Sequence, residues 1–157
     1  MSQSTWSTNL IGWRFLSFDD LSKHELYAVL QLRSEAFVVE QTCIFQDMDG
    51  ADTAAMHLLG NVDGQLVAYA RCFAAGEKFL EASIGRVITR STLRGVGAGH
   101  ALMHESIQQM THCWGTQAIR IGAQAQLENF YRQHGFKGVG TPYIEDGIPH
   151  IEMLRPA

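Results

Sequence analysis

The chain has 157 residues, 46% of them hydrophobic and 18% charged, with a formal net charge of −4 and an isoelectric point near 5.9. That length supports one domain, spanning 1–157, and the composition excludes a disordered chain. The acidic balance argues against general affinity for nucleic acid and is compatible with an amine-bearing partner.

Cys43, Cys72 and Cys113 are odd in number and lack CxxC spacing, which fits a reduced, intracellular protein. The opening "MSQSTWSTNLIGW" has neither a basic start nor a long apolar stretch, and no later run reaches membrane-spanning length. A cytoplasmic protein without membrane contact is the expectation.

In chain order, "GWRFLSF" alternates as a half-buried strand does. "SKHE" then supplies a capping box from Ser22 and Glu25, and Leu26, Val29, Leu30, Ala36 and Phe37 follow at helical spacing. Arg33 alone interrupts that apolar face. "VVEQTCIFQDMDGADTAAM" reads as a long loop with room for a helical turn, a length that is usually functional or mobile.

"HLLGNVDGQLVAYARCF" is a hairpin turning at Asp63-Gly64, and "ASIGRVIT" is a third strand of that group. "GHALMHESIQQM" is a helix carrying Leu102, Ile107 and Met110 inward. "AIRIGA" is a strand, and "QLENFYRQHGF" a short helix ended by Gly135. Two last strands, "KGVGT" and "HIEML", flank the turn residues of "EDGIP". The order predicts an α+β (mixed α/β) domain built on one sheet.

"LRGVGAGHALM" sets Gly95, Gly97 and Gly99 between a strand and a helix. Unpaired N–H groups and the positive helix end converge there, and glycines let an anion approach them closely. Arg86, Arg90 and Arg94 lie nearby, with no acidic residue between Gly85 and Gly99. A Walker A loop needs Lys-Ser/Thr after its last glycine, and here His100-Ala101 follows. A dinucleotide fingerprint needs GxGxxG directly after its strand, but this is GxGxG after "RSTL".

With "RGVGAG" after "IGRVIT" and "NFYRQHGF" after a second strand, the sequence resembles the GNAT N-acetyltransferases. "LQLRSEAFVVEQ", "QDMDG", "LVAYAR", "GAQAQLENFY" and "EDGIPHIEM" resemble its ElaA-type subfamily, so the likeness covers nearly the whole chain. It implies a mostly antiparallel twisted sheet of about six to seven strands flanked by helices, and acetyl-coenzyme A as co-substrate. Arg94, Gly95, Val96, Gly97, Ala98 and Gly99 would bind its pyrophosphate, and Val87, Ile88 and Thr89 its pantetheine arm. Gln124 and Asn129 belong to the second cofactor motif, where Gln124 replaces the more usual asparagine. Tyr131 takes the position of the general acid. A homodimer is compatible with the resemblance.

The chemistry raises two proton problems. A lysine-like ammonium has a pKa of about 10.4, so only roughly one in a thousand is neutral at pH 7. The leaving thiolate must also gain a proton, for which Tyr131 is suited. Glu40, beside apolar "FVV", is the first candidate for the base, and His57 and His150 are others. Arg33 and Arg71 are candidates for orienting an acceptor carboxylate or for pairing with local acids.

The resemblance implies a small-molecule or peptide amine as acceptor, with small amine, amino acid, peptide N-terminus and protein lysine all open. No metal is expected, because His100 and His104 have ligand spacing without the glutamate of HExxH or a third ligand. Two alternatives stay open: an acyl-homoserine-lactone-synthase-like activity, and a silent acetyl-coenzyme A sensor.

Overall fold

The structure is a computed structural model that describes residues 7–157. The first six residues, which open the "MSQSTWSTNLIGW" stretch, lie outside the described residues. β1 (Gly12–Ser17) leads into α1 (Lys23–Arg33), whose N-terminus carries the expected capping box. The Ser22 hydroxyl accepts from the Glu25 N–H at 3.1 Å, and the Glu25 carboxylate accepts from the Ser22 N–H at 3.0 Å. The helix does not stop at its last α-turn but widens into a π-turn over Ser34–Val39. Such widening is common near functional sites, because it re-aims side chains without ending the element.

β2 (Met56–Val62), β3 (Gln65–Phe73) and β4 (Ala82–Thr89) form an antiparallel meander. Asp63 and Gly64 turn the first hairpin with φ of 50° and 76°, the pair of positive values a type I′ turn requires. β3 is buried from Leu66 to Phe73, as expected of a central strand covered on both faces. α2 (Ala98–Trp114), β5 (Ile119–Gln124), the short α3 (Glu128–Arg132), β6 (Lys137–Glu145) and β7 (Ile148–Arg155) complete the chain. β6 extends four residues beyond the expected "KGVGT", so that β6 and β7 meet at a tight Asp146-Gly147 turn.

One open sheet of seven strands results, in the order β1-β2-β3-β4-β5-β7-β6. Every neighbouring pair is antiparallel except β4 and β5. Alternation along the strands divides the core between the two faces. Leu58 joins the cluster around Leu102, Met103 and Phe136 under α2 and α3, while its neighbour Leu59 joins Val29, Leu32 and Tyr69 under α1. None of the described helices is long and apolar enough to cross a membrane.

Candidate active site

The parallel pair β4–β5 is where the sheet opens. Its ladder holds only Ala82 against Ile119 and Ser83 against Arg120. Past those residues the strands no longer pair, and two cavities of about 490 and 750 Å³ use the freed walls. A β-bulge in β4 shapes the opening. Tyr69 pairs with Ile88 and Arg71 with Gly85, so Ala70 faces both Arg86 and Val87. Arg86 adopts a left-handed φ of 49°, and its Nε donates to Asp47 Oδ1 at 2.8 Å, which holds the bulge in place.

The larger cavity runs along Val87, Ile88 and Thr89 to the glycine loop. Gly95 and Gly97 have φ of 84° and 85°, values that side chains resist. Gly97 is the N-cap of α2 and supplies no side-chain cap, so N–H groups of the first turn stay available to an anion. The residues present therefore fit a phosphate-bearing group. Arg94 stands at this cavity with its Nη2 donating to Glu40 Oε2 at 2.6 Å. His100 lines the same cavity, and its Nδ1 lies 2.9 Å from His134 Nε2.

The smaller cavity is lined by the loop after the π-turn, the β4 bulge and the β6–β7 hairpin. Phe37, Gln41, Val87, Gln124, Leu127 and Tyr131 line both cavities and form the passage between them. Tyr131 is 7% exposed, and burial pushes its phenol up to about 12, so it remains protonated at neutral pH. His150 lines the smaller cavity, stacked on Tyr143 with centroids 5.7 Å apart. Its Nδ1–H donates to the Ile148 carbonyl at 2.7 Å, and its Nε2 lies 3.6 Å from Glu145 Oε2.

Behind this wall is a network of three arginines and three aspartates. Arg33 donates to Asp47 at 2.8 Å and Asp52 at 2.7 Å; Arg71 forks onto both oxygens of Asp49 at 2.8 Å and reaches Asp52 at 2.9 Å. Arg86 closes the set on Asp47. The guanidinium of Arg71 holds the Asp49 carboxyl well below the usual carboxylate range. Burial alone would raise Asp52, but hydrogen bonds and charge from Arg33 and Arg71 outweigh it and pull that carboxyl down. The network pins the loop that carries Cys43, Phe45 and Gln46 into the smaller cavity.

A family model for the acetyltransferase (GNAT) domain matches residues 19–155. The chain belongs to the GNAT acetyltransferase family. Protein ElaA of Escherichia coli K12 is 45% identical over 148 residues, which cover 93% of this chain and 97% of that protein. The crystal structure of Escherichia coli ElaA superposes with a TM-score of 0.86, covering 92% of this chain and 99% of that one. An acyl-CoA N-acyltransferase from Pseudomonas aeruginosa superposes at 0.88 with 42% identity, covering 92% and 99%. The ElaA-type likeness and the α+β fold expected from the sequence are both present.

Within this GNAT frame the expected site residues separate into groups. Val87, Ile88, Thr89, Arg94, Gly95, Gly97, Gly99 and Gln124 line the larger cavity. Ala98 is buried beneath the loop and Val96 is 43% exposed, so any part they take is through backbone N–H groups. Asn129 is exposed and lines neither cavity.

Arg33 and His57 stand apart from both cavities: each is buried, and neither lines either of the two. Arg33 is spent on Asp47 and Asp52. His57 Nε2 lies 2.8 Å from the Asp52 carbonyl, which can only accept, so Nδ1 accepts from the Tyr69 hydroxyl at 2.6 Å. Burial lowers the His57 pKa, in keeping with a neutral ring with no free nitrogen. Glu40, the first candidate for the base, stands at the larger cavity tied to Arg94 and does not line the smaller one. Arg71 pairs with local acids.

The sequence reading allows Arg33 and Arg71 to pair with local acids but does not single out Asp47, Asp49 and Asp52 as those partners. A signal was present, since arginines inside the apolar runs "LVAYAR" and "IGRVI" must find carboxylates if buried.

Proposed function

We propose that this protein transfers an acyl group, acetyl first among them, from acyl-coenzyme A to a primary amine by direct attack, with Tyr131 as general acid. The observation that carries the reading is Tyr131 in the wall common to two cavities, one ending at an anion-ready glycine loop and the other opening to solvent-side polar residues. The Pseudomonas aeruginosa relative, named as an acyl-CoA N-acyltransferase, supports the same donor.

In this reading, N–H groups from Val96 to Gly99 hold the pyrophosphate, with Arg94 exchanging Glu40 for phosphate. β4 past Ser83 has main-chain groups unpaired with β5, which suits an extended amide-bearing arm. When bound, the coenzyme supplies an activated thioester. The Tyr131 hydroxyl donates its proton to the departing sulfur, and its buried, protonated state suits that task. The walled second cavity favours an enzyme over a domain that only senses the coenzyme, which would need the first cavity alone.

The test is thiol release with acetyl-coenzyme A and a panel of small amines, amino acids, peptide N-termini and lysine peptides. Tyr131→Phe should lower turnover about 10²-fold or more while coenzyme affinity is little changed. Unchanged turnover removes Tyr131 as the acid. Absence of thiol release with every amine defeats the transfer reading in favour of a sensor, and use of an acylated carrier protein would indicate the synthase-like alternative.

A further inference from the structure

We infer that His150 is the general base of the acceptor side, taking a proton from the acceptor ammonium through Nε2, with Glu145 supporting the imidazolium that forms. This rests on the acyl-transfer reading above and adds the proton acceptor that it lacks.

The first argument is the tautomer. The Ile148 carbonyl, 2.7 Å from Nδ1, can only accept, so Nδ1 carries the hydrogen and the neutral ring keeps its lone pair on Nε2. The second is placement. His150 is 8% exposed, lines the acceptor cavity with Tyr131, and pairs in the sheet with Gln124, a residue of the passage between the cavities. The third is the carboxylate. Glu145 Oε2 lies 3.6 Å from Nε2, close enough to stabilise a charged ring without blocking the nitrogen. Stacking on Tyr143 fixes the plane of the ring. His57 has no free nitrogen and Glu40 stands at the other cavity, so neither competes for this position.

The proton balance closes. Nε2 removes one proton from R–NH3⁺, leaving a neutral nitrogen that forms the C–N bond as the C–S bond breaks. The nitrogen loses a second proton as the amide forms, equivalent to the one Tyr131 gives to sulfur. One proton per turnover leaves to solvent from His150. The charged or titratable groups against the ring are Glu145 and Tyr143 from β6, while Asp146, Cys43 and Tyr131 line the same cavity. Lys78, Asp49 and Arg86 share the cavity from other elements, the last two turned toward the arginine–aspartate network.

The test compares two probe nucleophiles across pH: n-butylamine, an ammonium at neutral pH, and hydroxylamine, whose nitrogen is already neutral there. His150→Gln should lower the butylamine rate about 10²-fold near pH 7 and leave the hydroxylamine rate nearly intact. The variant should also lose the acid limb of kcat/KM and gain on wild type as pH approaches the amine's own pKa. Equal losses with both nucleophiles, or a retained acid limb, overturn the proposal. Coenzyme affinity and thermal unfolding of His150→Gln report whether the fold is intact. Should wild type release no thiol with any amine, the transfer reading falls, and long-range ¹H–¹⁵N spectra then judge His150. A hydrogen on Nε2 of the neutral ring overturns the inference, and one on Nδ1 upholds the base geometry.

Discussion

Replacing Arg33 with methionine tests the role assigned to the arginine–aspartate network. The substitution keeps part of the apolar stem and deletes three hydrogen bonds: 2.8 Å to Asp47 Oδ2, 2.7 Å to Asp52 Oδ1 and 3.3 Å to the Asp47 carbonyl. Asp47 retains Arg86 and Asp52 retains Arg71, so three carboxylates face two guanidiniums in a site where Arg33 was fully buried. Removing one partner of a buried pair costs about 3–5 kcal/mol. For a domain of this size each kcal/mol moves the midpoint by roughly 2–4 °C, so the melting temperature should fall by about 6–20 °C.

Adding Asp52→Asn rebalances the cluster at two charges of each sign. The double variant should therefore lose less than the sum of the single losses, with a coupling of about 0.5–3 kcal/mol. Arg14→Met, which breaks an exposed pair with Glu25, is the control and should cost less than about 1 kcal/mol. Because the network pins the loop walling the smaller cavity, the proposed acceptor site, Arg33→Met should raise KM for the acceptor more than it weakens coenzyme binding. Thermal and urea unfolding of wild type, the two single variants, the double variant and the Arg14→Met control, with acceptor kinetics, decide the matter. A melting temperature within about 2 °C of wild type, or strict additivity in the double variant, would refute the reasoning.

Stability should fall with acid in two phases. His57, Asp49 and Asp52 all have pKa values lowered in the folded state, so the native protein binds fewer protons than the unfolded chain. Their contribution is complete above about pH 6.5, erodes first through His57, and erodes again through the aspartates below about pH 4. Urea midpoints across pH check this, and a flat profile from pH 7 to 5 would contradict the His57 part. Gly97→Ala places a side chain at a φ of 85°, which should cost about 1–2 kcal/mol and weaken coenzyme binding; calorimetry showing unaltered affinity would count against the loop as the phosphate site. A thiol reagent should label exposed Cys113 in the native protein, whereas Cys72, fully buried with its thiol pKa pushed up, should react only after denaturation.

Much of this molecule is legible along the chain because the interactions involved are local. The capping box of Ser22 and Glu25, the Asp63-Gly64 turn, the buried run of β3 and the glycine loop each depend on residues a few positions apart. Such spacing dictates backbone geometry before any tertiary contact forms. The family likeness rests on the same kind of short block, which is why the family and the fold follow from the sequence.

The surroundings of the smaller cavity do not follow from it. Arg33 reads as a break in an apolar helical face, and only folding brings Asp47 and Asp52, 14 and 19 residues away, onto its guanidinium. His57 and His150 look alike in sequence, each beside a strand. In the fold one has both nitrogens bonded within the core, while the other has a single nitrogen free beside Glu145. The gap between β4 and β5 is likewise invisible in either strand alone, because where a ladder ends depends on the relative direction of two strands. The chemical kind of each side chain is written in the chain, but its charge partners and the cavity it meets depend on packing between distant segments, and the tertiary structure decides them.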